Sequence, residues 1–115
     1  MVEGPRQVDD LHRLLDTAQR RHLLEVLDEV DRALPVSTLV EHVAKRLHET
    51  PIRELSTEQL HSVRIRIHHN HLPKLADAAV VEHDPADDSV RTGPVFDRAV
   101  SVLRTVRGVT EAETA

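Results

Sequence analysis

The chain has 115 residues, the size of one domain, and a domain of that size buries roughly two thirds of its unfolded surface around a single core. Its apolar share is 39% and Phe96 is its one Phe, Tyr or Trp residue, so the core must be Leu, Val, Ile and Ala. The absence of cysteine excludes a disulfide framework, a thiolate metal site and a Cys nucleophile. No segment approaches the about 18 unbroken apolar residues of a membrane span, and MVEGPRQVDD carries no signal-type apolar region. A soluble, cytoplasmic protein with no membrane partner is expected.

The net charge is −5, from 20 acidic and 15 basic residues, and arginine outnumbers lysine thirteen to two. Lysine-poor, acid-rich surfaces suit proteins that stay dispersed in concentrated salt, as in halophiles. The distribution of charge says more than its sum. From Gln59 to Ala76 there is no Asp or Glu, while Arg64, Arg66 and Lys74 give the segment +3 and leave −8 on the rest of the chain. One basic surface on an acidic body is the electrostatic footprint of a nucleic-acid binder. The alternative is a basic helix packed against an acidic neighbour.

In chain order, Val8, Leu11, Leu14 and Leu15 recur at helical steps and predict a short helix from Val8 to about Asp16. A second helix, capped by Asp16 or Thr17, carries Leu23, Leu24, Leu27, Val30 and Leu34 inward and ends at Pro35. A third starts with Ser37 or Thr38 as N-cap, uses Glu41 as partner, buries Leu39, Val40, Val43, Ala44 and Leu47, and stops before Pro51. The polar stretch from Thr50 to Leu55 reads as a linker.

Ser56 and Gln59 form a capping-box pattern that opens a fourth helix, expected from about Thr57 to Ala78, with Leu60, Val63 and Ile67 on its buried face. The apolar pattern resumes at Leu72, Leu75 and Ala79 after a five-residue step. Pro73 predicts a bend there, near His69 to Pro73, because it deletes the bond to the carbonyl of His69. The run SVRIRIH also alternates like a strand, but the cap signal and the continuous pattern from Leu60 favour helix. VVEHDPADDSVRTG then places β-branched residues on both sides of a turn, the mark of a hairpin. The closing segment GPVFDRAVSVLRTVRGV carries Val95, Ala99, Val102, Leu103 and Val106 at helical spacing and is expected to end at Gly108.

This order of helices, hairpin and closing helix is that of a winged helix-turn-helix: mostly α, with a small β-hairpin wing. The expected division is a flexible end at residues 1–7, the winged domain at 8–93, a C-terminal helix at 94–108 and a disordered tail at 109–115. The closing helix is either a homodimer element or a cover for its own core, and both readings stay open.

If Leu72, Leu75 and Ala79 set the buried face of the fourth helix, Arg66, Asn70, Pro73 and Lys74 project away from it, with Arg64 and His69 at the edges. Arg and Lys can reach guanine or phosphate in a major groove, and Asn can read adenine. The expected DNA contacts are therefore Arg64, Arg66, His69, Asn70 and Lys74, with Arg91 from a wing otherwise acidic at Glu82, Asp84, Asp87 and Asp88. Among the 9 histidines no pair stands at i, i+4, the helical spacing for a shared metal; His68 and His71, at i, i+3, could still share an ion with an Asp or Glu from elsewhere, but neither a metal nor another cofactor is expected. His68 and His71 read instead as groups packed beside the core or capping carbonyls near Pro73. With no Gly-rich phosphate loop and no Ser/His/Asp grouping, an enzyme is not expected either.

The stretch HHNHLPKLADAAVVEHDP resembles a winged-helix family of uncharacterised function from halophilic archaea, whose pattern is close to LHHVHLPKLADAGLVEYDP. Upstream, LLDTAQRRHLLEVL is similar to that family's LLADPRRRRVLRYL, and PVSTLVEHVA to its EPVSLDELAEHVA, so the likeness covers most of Leu11 to Thr92. HLPKLADAAVVEHD is more distantly similar to the HLRKLREAGLVE turn of ArsR-like regulators. The resemblance implies a DNA-binding, transcription-regulator-like module, often dimeric, without catalytic residues. Ala79 departs from it by standing where that family usually has glycine. A left-handed cap there would cost alanine about 1 kcal/mol, so a differently tightened junction is expected. The expected function is regulation through double-stranded DNA, and the alternative is a winged-helix protein–protein interaction module that docks an acidic partner.

Overall fold

The computed structural model describes the backbone of residues 10–114 and the side chains of residues 10–106. The expected flexible end at 1–7 and the expected helix start at Val8 lie outside the described residues. A helical turn, α1, over residues 10–14 leads Leu11 and Leu15 into the core. The Thr17 hydroxyl accepts the Arg20 backbone N–H at 3.2 Å and caps α2, Ala18–Glu29, which buries Leu23, Leu24 and Leu27.

Two boundaries differ from those the sequence predicts. Helix α2 ends at Glu29 instead of Leu34, because Leu34–Pro35 forms a short strand, β1, with Leu34 opposite Val90. Strand pairing across the chain overrides the local helical pattern. Proline is admitted because β1 lies at the sheet edge, where its missing N–H breaks no ladder. The next helix, α3, spans Val36–His48 with Pro35 as N-cap and no side-chain cap, so Ser37 and Thr38 fall inside the first turn. The Val36 N–H donates instead to the Asp88 carbonyl at 2.8 Å, which gives an otherwise orphaned helix amide a partner from the wing.

After α3 the expected linker holds one 3-10 turn, Ile52–Glu54, and then the chain enters α4, Thr57–Arg66. A π-helical turn, Ile67–His71, joins α4 to α5, Leu72–Asp77. The run SVRIRIH is therefore helix, not strand. Strands β2, Val81–Asp84, and β3, Ser89–Thr92, make the expected hairpin, with Val81 opposite Thr92 and Asp84 opposite Ser89. The sheet order is β1-β3-β2, all antiparallel.

The junction from α5 to β2 corrects a further expectation. Ala79 does take the left-handed conformation, φ 61°. Around it the Val80 N–H bonds to the Leu75 carbonyl at 2.9 Å and the Ala79 N–H to the Ala76 carbonyl at 2.9 Å, the paired bonds of a Schellman cap. Leu75 and Val80 are both fully buried, and their burial holds the alanine in its strained conformation. The Ala79 carbonyl also accepts the Val95 N–H at 2.9 Å, and a Cβ on Gly93 would stand 2.5 Å from that oxygen. Glycine is required at 93 by this close approach of two backbones.

Helix α6, Phe96–Thr114, runs past Gly108 through most of the segment expected to be a disordered tail. One glycine costs a helix about 1 kcal/mol, and the good helix formers Glu111, Ala112 and Glu113 follow it. Phe96, Ala99, Val100 and Leu103 are buried in the domain's own core, and Arg104 reaches Asp28 of α2 at 3.4 Å. The closing helix thus covers its own core. The whole is a mostly helical domain with a β-hairpin wing.

Candidate nucleic-acid interface

The basic helix begins with both bonds of the predicted capping box. Gln59 N–H donates to Ser56 Oγ at 3.0 Å, and Ser56 N–H donates to Gln59 Oε1 at 2.9 Å. Val63, Ile67, Leu72 and Leu75 form the buried stripe. The five-residue step from Ile67 to Leu72, which predicts a bend and a rotated face, is taken up by the π turn: the Leu72 N–H bonds to the Ile67 carbonyl. One extra residue in the turn brings Leu72 back over Ile67, so both stay on the buried side. Pro73, which lacks an N–H, then sits in the first turn of α5, directly after the π turn.

On the opposite side Arg64, Arg66, His69, Asn70 and Lys74 are all exposed. Among the described residues none of these five side chains has a hydrogen-bond or ion-pair partner. Other arginines contrast with them: Arg46 meets Glu29 at 2.6 Å, and Arg104 meets Asp28. Arg91, expected as a wing contact, is held by Glu82 at 2.7 Å, opposite it in the hairpin, and is not gathered with the other five. Ile65, which the helical reading passes over, is 44% exposed between Arg64 and Arg66 and is the one large apolar side chain left open among the described residues.

Behind this surface lies a polar group that periodicity does not reveal. His71 is 3% exposed and Arg20 7% exposed. Arg20 Nε donates to His71 Nδ1 at 3.0 Å, and Arg20 Nη1 donates to the Leu14 carbonyl at 3.2 Å. Gln19 Oε1 lies 3.1 Å from His71 Nε2, so the neutral Nε2–H tautomer satisfies both ring nitrogens. Burial, then the nearby charges of Arg20, Arg66 and Lys74, push the His71 pKa down from 6.5 to about 4. The expectation that His71 packs beside the core holds, but its partners come from α2 and anchor the π turn there.

His68 faces the wing. Its Nε2 lies 3.1 Å from Asp88 Oδ2, and His83 Nε2 lies 2.8 Å from Asp88 Oδ1. The hydrogen bond from His83, assisted by His68, holds the Asp88 carboxyl below the usual carboxylate range. Asp88 itself takes a left-handed φ of 52°, which Asp tolerates better than most residues. Sequence spacing cannot find this trio, because His68 and Asp88 are brought together only by the fold.

The molecule thus carries an open cationic helix and an acidic wing in which Arg91 is paired with Glu82. No curated protein and no solved structure matches the chain. A family model described as a Domain of unknown function (DUF7344) matches residues 12–91, from α1 through most of β3, and this covers both faces of the site. The chain therefore belongs to that family of unknown function.

Proposed function

We propose that this domain is a DNA-binding, transcription-regulator-like module that lays the α4–α5 segment in the major groove of double-stranded DNA. One observation carries the reading: five exposed groups able to contact DNA, Arg64, Arg66, His69, Asn70 and Lys74, share one helical segment without a partner among the described residues. Intramolecular carboxylates hold Arg46, Arg91 and Arg104 but leave Arg64, Arg66 and Lys74 open on one face, and a cluster of open cations on an otherwise acidic body attracts an anion from outside.

In this reading Arg64, Arg66 and Lys74 take phosphate or guanine, and Asn70 takes adenine. Ile65, beside the two arginines, suits the methyl group of thymine. Arg91 contributes little, since Glu82 already neutralises it, and the wing lies near the backbone without deep entry into the minor groove. A homodimer would present two such helices to half-sites one DNA turn apart. Electrophoretic shifts with genomic fragments test the proposal: sequence-preferring binding that Arg66→Ala and Lys74→Ala weaken supports it. Absence of DNA binding, together with capture of an acidic protein that depends on the same two residues, would assign the helix to a protein partner instead.

A further inference from the structure

We infer that His68, His83 and Asp88 form a binding site for one divalent transition-metal ion of the zinc class, which ties the recognition helix to the wing. The site stands apart from the DNA-binding proposal and does not depend on it.

The three residues come from three places in the fold: the start of the π turn, the middle of β2 and the turn into β3. Their ligand atoms, two imidazole nitrogens and one carboxylate oxygen, all lie within 4.8 Å of one another. His68 Nε2 is 3.2 Å and 3.1 Å from the two Asp88 oxygens, and His83 Nε2 is 2.8 Å from Oδ1. Around an ion with bonds of about 2.0–2.1 Å, neighbouring ligands stand about 3.3 Å apart in a tetrahedron and about 2.9 Å apart in an octahedron. The two His–Asp edges already match these spacings. Only the two imidazoles, with ring centroids 6.3 Å apart, need side-chain rotation to close the third edge.

Both Nε2 atoms face the carboxylate. A neutral imidazole that carries its proton on Nδ1 offers the Nε2 lone pair in the same direction, so binding puts the ion where a hydrogen-bonded hydrogen stood and asks only for rotation of the two rings. The carboxylate is positioned without the ion by its hydrogen bonds with His83 at 2.8 Å and His68 at 3.1 Å, and the Val36 N–H fixes the Asp88 backbone carbonyl at 2.8 Å. Two imidazoles and one carboxylate, without a thiolate, select zinc, cobalt or nickel over copper(I), and select against magnesium or calcium, which want oxygen ligands. His68 and His83 are 27% and 26% exposed and Asp88 48%, so water reaches the site and completes the coordination. Such a site exchanges its ion and responds to its concentration, unlike a closed structural zinc.

The test uses the full chain freed of metal with a chelator and titrated with Zn2+ by calorimetry and with Co2+ by visible absorption. The expected result is one saturable equivalent, binding at least tenfold weaker in His83→Gln and in Asp88→Asn, and unchanged binding in His61→Gln, which alters an exposed histidine outside the trio. Ring resonances of His68 and His83 should move together on Zn2+ addition. Circular dichroism without metal checks each fold, and His83→Gln serves if Asp88→Asn loosens the turn. No saturable binding, binding that survives both substitutions, or equal loss in His61→Gln would overturn the assignment. Failure of DNA binding would leave it intact.

Discussion

His71 makes the buried polar group testable through pH. Burial and nearby cations hold its folded-state pKa at about 4, against the ordinary 6.5 of a free imidazole, so folding favours the neutral ring. The stability it contributes is complete above pH 6.5 and is lost as the pH falls, because the unfolded chain takes up a proton that the native chain refuses until about pH 4. At 1.36 kcal/mol per unit the loss reaches about 3 kcal/mol near pH 4, a large fraction of the about 5–15 kcal/mol that holds a domain together. Urea titrations of the native chain and of His71→Gln at pH 7, 5.5 and 4 isolate the effect, since every other carboxyl and imidazole titrates in both proteins. The His71→Gln chain should be less stable at pH 7 yet lose about 3 kcal/mol less on acidification. With urea slopes of about 1–3 kcal/mol per molar, the difference moves the midpoint by roughly 1 M or more. Stability curves that run parallel from pH 7 to 4 would refute a buried neutral ring held by Arg20 and Gln19.

Three further substitutions test the frame that carries the surface. Ala79→Gly should raise stability by about 0.5–1 kcal/mol in thermal or urea melts, because relief of the left-handed strain exceeds the extra freedom given to the unfolded chain. Gly93→Ala should destabilise by about 2 kcal/mol or more, since its methyl group would sit 2.5 Å from the Ala79 carbonyl oxygen, and backbone cannot yield as a side chain can. Ser56→Ala should cost about 1 kcal/mol and fray the start of α4, read as faster amide exchange at Gln59, whose N–H loses its acceptor.

Local signals made much of this fold legible. The Ser56/Gln59 capping box, the leucine and valine stripes of α2 and α3, and the β-branched residues around Asp84–Asp88 each announce their element through nearest-neighbour chemistry. What escaped depends on distant partners. Leu34–Pro35 is a strand only because β3 lies beside it, and the start of the third helix moves up to Val36, whose N–H the Asp88 carbonyl receives. The step from Ile67 to Leu72 was visible as an irregularity, but a proline kink and a π turn leave the same trace in a one-dimensional pattern. The exposed cations were legible because a run without acids needs no tertiary knowledge. Arg91 shows the limit of that argument, since its partner Glu82 is set by hairpin register. The Gln19–His71–Arg20 group and the His68–His83–Asp88 trio join residues far apart in sequence, beyond the reach of any spacing rule.

The central claim is that the free cations of the α4–α5 segment meet the phosphates of DNA, and the salt dependence of binding measures this most directly. Fluorescence anisotropy of a labelled duplex, titrated with the native chain and with the Arg66→Ala/Lys74→Ala double variant at several salt concentrations, gives log K against log salt. Each phosphate contact contributes about −0.9 to that slope, so the double variant should lie flatter by about 2 and bind more weakly at every salt concentration. Equal slopes for the two proteins, or no binding by the native chain even in dilute salt, would contradict the account.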